Sequence, residues 1–245
     1  VGNPAAVPQC SRQEFEGGKP RCSPATQIGI VHGTLTVGGQ ASGPLYNLEP
    51  PPGMAAQLGF SLFGLNALQN ASLRNEEGYG LEVETNGLPL ELTAISATIW
   101  GTPADPSHDA QRGALLAEGI PGEPVKSDAR ELPFLTLPAE CSAPPQATVQ
   151  VDSKLAPGIF THPTEAFSLD SGSNPTALLG CAAVPFSPQV FAAPTSTEAA
   201  GASGLGFELA LPNEGLLNPE GITETEPEKI EVALPTGLSA NPALA

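Results

Sequence analysis

A chain of 245 residues with 26 acidic and 9 basic side chains, a formal net charge of −17, repels a phosphate backbone, which excludes nucleic acid as a partner. At 40% hydrophobic residues a real core is within reach, but nine Phe, two Tyr and one Trp leave it to Leu, Val, Ile and Ala, residues that suit strands. The 27 glycines and 28 prolines punctuate apolar runs and argue against long helices, and no apolar run reaches the roughly 18 residues that a membrane-spanning helix needs.

Taken in chain order, the first β-branched, apolar stretch is 27–37, whose alternation slips near Gly33. The turn string YNLEPPPG (46–53) follows, then the period-two run Leu58-Phe60-Leu62 and a second, Tyr79-Leu81-Val83, with Glu82 and Glu84 between its apolar members. An Asn-Gly turn at 86–87 leads to 90–100, where the phase slips near Ala94, and then to the irregular stretch 101–145. That stretch is too long for a hairpin loop and is either a functional loop or an excursion covering the core. The turn strings GIPGEP (119–124), DSGSNP (170–175) and NEGLLNPEG (213–221) separate the later runs Val149-Val151, Leu205-Phe207-Leu209-Leu211 and Ile230-Val232-Leu234. Seven strands in this rhythm predict an all-β, antiparallel β-sandwich, Ig-like or jelly-roll-like, with long Pro/Gly-rich loops or a division into two small β-subdomains. The composition shift at 195–204 reads as a linker. It gives a main module over 1–203 and a C-terminal strand pair over 204–245 that packs on, or completes, the next module; a split within 101–145 stays open.

Four cysteines, Cys10, Cys22, Cys141 and Cys181, include no CxxC pair and have no zinc-knuckle spacing, so disulfides are the reading. Of three connectivities, Cys10 with Cys22 and Cys141 with Cys181 close the shorter loops. Paired cysteines and few lysines point to an oxidising, extracellular or cell-surface location. The chain opens on Val1 with no signal-peptide pattern, which suggests a processed product or a piece of a longer protein. Asn3-Pro4-Ala5 recurs as Asn241-Pro242-Ala243, the pattern expected of a tandem array cut in mid-repeat.

The densest polar group is Asp105, His108 and Asp109 with Arg112 nearby, a conceivable divalent-metal or calcium site, set against an Asx-turn with an Asp–Arg bridge. Asn70-Ala71-Ser72 satisfies the glycosylation sequon in what reads as an exposed loop, although sequons are common by chance. Hydrolytic chemistry lacks a GxSxG elbow, and His32, His108 and His162 are the chain's three histidines. The carboxylate pairs Glu82 with Glu84 and Asp105 with Asp109 have few aromatic platforms for a sugar, and the run Glu224, Glu226, Glu228 and Glu231 reads as a solvated face. Trp100 reads as a core residue. No cofactor is implied.

The strings NPAAVPQC with Cys22 and Ile28-Gly29, YNLEPPPG, WGTPADPSHDAQRG and IEVALPTGLSANP resemble a module of large secreted actinobacterial-type repeat proteins. The resemblance covers nearly the whole chain and implies an exported, multi-module surface or extracellular protein with no catalytic residues. The expected function is therefore a structural repeat module of an extracellular fibre, filament or surface layer. Its partners would be copies of itself or neighbouring modules, joined in part by strand addition. The alternative is an adhesin or carbohydrate-binding module using loop 101–145.

Overall fold

The computed structural model describes residues 3–17, 19–74, 80–86, 88, 91–113, 123–212, 214–225, 227–234 and 236. The chain divides into two compact units, 1–138 with 212–223, and 139–211 with 224–245. The expected boundary at 203/204 is therefore displaced to 138/139, inside the long stretch 101–145. The reason lies in the 195–204 segment, which is a hairpin loop and not a linker. Thr195 N–H donates to the Gly204 carbonyl at 2.9 Å and Ser196 N–H to Ser203 Oγ at 3.1 Å, closing the hairpin that a cut at 203 would sever.

The first unit holds one antiparallel sheet of six strands: β1 (Gln27–Leu35), β2 (Gln40–Leu48), β3 (Ala56–Leu62), β4 (Leu65–Leu73), β5 (Leu81–Thr85) and β6 (Leu92–Ile99), in spatial order β5-β4-β3-β2-β1-β6. The all-β, antiparallel, sandwich-like class read from the sequence is the one found. The phase slip near Gly33 and Ala94 is a register shift, because Thr34 pairs with Ala94 whereas Leu35 pairs with Leu92. A second shift between Gln27 and Gly29 leaves Ile28 as an extra, fully buried residue.

Both faces of the central strands are covered. On one, Val31, Leu45, Leu58, Phe60, Leu62 and Ala67 form a core closed by Ala6 and Val7 from the N-terminal segment and by Phe134 from the long excursion. Excursion residues Leu132 and Phe134 thus cap the core, the second of the two readings of 101–145. On the other face Phe15, from the short helix α1 (Arg12–Phe15), packs with Cys10, Tyr46 and Leu48. Helix α1 forms because Ser11 and Glu14 make a capping box: Glu14 N–H donates to Ser11 Oγ at 3.3 Å and Ser11 N–H to the Glu14 carboxylate at 3.2 Å. The Cys10–Cys22 disulfide pins the strap that follows.

Asn3-Pro4-Ala5 has a local chemistry of its own. Asn3 caps a 3-10 helix (Pro4–Ala6), its Oδ1 accepting from Ala5 N–H, with Pro4 in the first turn, where a missing N–H costs nothing. The buried Asn47 side chain in β2 then donates to the Pro4 and Val7 carbonyls at 3.0 and 3.1 Å, fixing the segment to the sheet. The second copy of the motif, at 241–243, lies outside the described residues, as do Tyr79 and most of GIPGEP.

In the second unit β7 (Gln146–Val149) pairs with β8 (Thr164–Phe167), and β9 (Gln189–Pro194) with β10 (Leu205–Ala210), each pair antiparallel. The Cys141–Cys181 disulfide lies within it. The predicted turn at 170–175 is built by Asp170, whose Oδ1 accepts from the Gly172 and Asn174 N–H groups at 2.8 and 2.9 Å. The Asn174 backbone bond, ahead of lesser ones, holds that carboxyl below its ordinary range. No residue of 139–211 is buried.

One further expectation is corrected: Ile230-Val232-Leu234 lies in no strand. The turn string NEGLLNPEG holds a helical turn, α2 (Glu214–Leu217), followed by the turn in which Gly221 N–H donates to the Asn218 carbonyl at 3.0 Å. No helix among the described residues is long and apolar enough to cross a membrane.

Candidate functional site

Trp100 follows β6 directly and is buried at the mouth of the loop that carries the polar cluster. Asp105 begins a 3-10 helix (Pro106–Gln111), and its Oδ1 accepts from Ser107 N–H at 2.8 Å. Hydrogen bonding by Ser107 holds the Asp105 carboxyl below the usual carboxylate range. His108 lies flat on the Trp100 ring, centroids 4.3 Å apart and planes 4° apart. Loss of hydration there lowers the imidazole pKa, helped by Arg112 and opposed by Asp105 and Asp109.

Arg112 is the centre of the arrangement. Its side chain has 0% exposure and forms an ion pair of 3.2 Å with Asp109 Oδ1. It also donates to the carbonyls of Val125 (3.0 Å), Pro103 (2.9 Å) and Asp105 (3.4 Å), with its guanidinium carbon 5.4 Å from the Trp100 centroid. The fixed fork of donors suits this use. Buried Gln27 ties the loop to β1, its Oε1 accepting from Gly113 N–H at 2.9 Å and its Nε2 donating to the Gly29 carbonyl.

The metal and calcium reading of Asp105, His108 and Asp109 is corrected by this geometry. One carboxylate caps a turn, the other neutralises Arg112 and the imidazole is stacked. Among the described residues no group of three His, Cys, Asp or Glu side chains could hold a metal ion. The competing Asx-turn and Asp–Arg bridge are both present.

Asn70 stands in the middle of β4 and not in an exposed loop. It is half-buried, and its Oδ1 accepts from Gln57 Nε2 at 2.8 Å, so the sequon sits in a sheet between β3 and β5. Glu82 and Glu84 lie on the edge strand β5. The shorter-loop cysteine pairs are the ones formed, Cys10–Cys22 and Cys141–Cys181, with no free cysteine among the described residues.

Sequence reasoning missed a cleft of about 660 Å³ on the Tyr46 side of the sheet, lined by Lys19, Cys22, Ser42, Tyr46, Ser61 and Phe63 among others. Phe63 occupies the β3–β4 turn at φ 53° and is 40% exposed. Burial pushes the Tyr46 phenol up to about 12, so it stays protonated and acts as a donor or an apolar wall. Ser42 Oγ lies 2.5 Å from Nδ1 of His32, its cross-strand partner, but among the described residues no carboxylate orients the imidazole. The cleft's wall carried no readable signal because Gly43-Pro44 breaks the alternation of β2.

No protein-family model matches the chain, and neither does any curated protein or solved structure.

Proposed function

We propose that this chain is a structural repeat module of an extracellular fibre, filament or surface layer, held together by contacts between modules. One observation carries the reading: the second unit is two two-stranded hairpins that bury none of the residues in 139–211 while displaying large apolar side chains. Val190 is 57% exposed, Phe191 62% and Leu179 95%. An isolated hairpin is marginal in water, and one disulfide supplies no hydrophobic burial, so such a unit gains by packing on another module. The recurrent Asn-Pro-Ala, the resemblance to secreted repeat proteins and two disulfides suited to an oxidising compartment support the same reading. It assigns the chain no catalytic role.

Sedimentation velocity under non-reducing conditions tests this. The expected result is a mass that climbs with concentration above 24.9 kDa. A single species of that mass at every concentration would contradict it.

The cleft supports a second reading, a ligand-binding module. Its mostly apolar lining, with exposed Phe63 and the hydroxyls of Ser42, Ser61 and Tyr46, suits a small ligand with an apolar face and a few hydroxyls, such as a sugar, which would shift cleft resonances on titration and would bind more weakly to Phe63→Ala. This reading moves the binding site from loop 101–145, where Asp105, Asp109 and Arg112 are engaged internally, to the cleft.

A further inference from the structure

The six-stranded sheet has two edges of opposite character. β5 presents Glu82 and Glu84, charges that discourage pairing with another strand, whereas β6 (sequence LTAISATI) has neither charge nor proline over eight residues. Among the described residues no strand pairs with the outer edge of β6, and Ile95 and Ile99 remain 44% and 36% exposed. These two sit opposite Gly33 and Gly29, on the sheet face that carries the Val31 and Leu45 core. The chain also holds a strand-patterned segment that forms no strand: in 228–234, Ile230, Val232 and Leu234 alternate with Lys229, Glu231 and Ala233, and all three apolar members are exposed.

We infer that Glu228–Leu234 of one copy adds to the open edge of β6 in the next copy, as a seventh strand whose Ile230, Val232 and Leu234 extend the apolar face beyond Ile95 and Ile99. This rests on the repeat-module reading and names the joint. By the Asn-Pro-Ala recurrence, the next copy's Asn3 corresponds in sequence to Asn241, seven positions after Leu234. In the next copy, Asn3 N–H donates to the Phe134 carbonyl (2.8 Å) and Phe134 N–H to the Gly101 carbonyl (2.7 Å), two residues past the end of β6, so a chain joined ahead of Asn3 enters at that end of the strand. The seven positions from Leu234 to Asn241 reach up to about 23 Å at roughly 3.3 Å per residue, enough to lay the segment along β6. Main-chain hydrogen bonds would supply affinity and the alternating apolar side chains would supply register.

Amide hydrogen exchange on the whole chain tests this, comparing dilute protein with about 1 mM, a local concentration typical of a short linker between modules. The expected result is roughly tenfold slower exchange in 93–99 and 230–234 at the higher concentration. Val232→Pro, in a segment outside the three sheets, removes a strand N–H and should abolish that protection and the accompanying association. Ala97→Lys, which places a charge on the exposed β6 face, should do the same with the far-UV spectrum retained. Association that survives both variants, or protection confined to β9 and β10, overturns edge addition and leaves the repeat-module reading standing. A chain that stays monomeric at about 1 mM overturns both.

Discussion

The Trp100 and His108 rings lie parallel with centroids 4.3 Å apart, and the lost hydration holds the imidazole pKa below its ordinary value. The unfolded chain therefore binds a proton that the folded chain refuses over the interval between the lowered folded pKa and about 6.5. Stability from this source is fully present above that interval and is lost as pH falls through it. The midpoint of urea unfolding of the first unit should decline over that window. His108→Phe, which keeps a ring on Trp100 but cannot titrate, should flatten that part of the profile. An unchanged slope would assign the dependence to other groups.

Gly59 lies under Phe15 and Leu48 on the helix α1 side of the sheet, with no room for a side chain. A Cβ there would lie 2.7 Å from Phe15 Cζ and 2.6 Å from Leu48 Cδ1. Gly59→Ala should cost about 1–3 kcal/mol through overpacking, and adding Phe15→Leu should recover part of it. Denaturant titration of the two variants measures both. Equal stability of Gly59→Ala and the parent would contradict the seating of Phe15.

Arg112→Ala should destabilise the first unit by about 3–5 kcal/mol, because it leaves a partly buried Asp109 carboxylate and several loop carbonyls without their cation. Adding Asp109→Asn should reduce the loss, a coupling readable from a double-mutant cycle. Arg112→Lys should not restore stability, since one ammonium cannot reproduce the fork of donors.

The Cys141–Cys181 bond closes a sequence separation of 40, for which chain entropy suggests a contribution of about 4 kcal/mol. Replacing both with Ala should release exchange protection across β7–β10 while β1–β4 stay protected, because the first unit has its own core. Loss of protection in both units together would show that they do not unfold separately.

What the sequence revealed follows the strength of alternation. β3, β5 and β10 were readable because apolar residues recur at period two, and the bulge in the β1–β6 pairing was readable as a broken phase at Gly33 and Ala94. β2 was hidden by Gly43-Pro44, and β4 by its amides: Asn66, Gln69 and Asn70 look like loop residues, yet they bond to Phe15 O, Thr85 Oγ1 and Gln57 across and above the sheet. Ile230-Val232-Leu234 has the alternation of a strand without a partner in its own chain's sheets, because pattern encodes propensity and not pairing. At the cluster, the residues and the Asx-turn with its Asp–Arg bridge were readable, but the burial of the bridge was not. Arg112 is the group that the carboxylates and carbonyls surround, and only the fold shows that its charge is buried.

Electron microscopy of the purified chain under non-reducing conditions tests the central claim most directly. The account predicts regular filaments or beaded chains with a spacing of one module. A field of discrete particles, each the size of a single 24.9 kDa chain, would contradict it and direct attention to the cleft beside Tyr46.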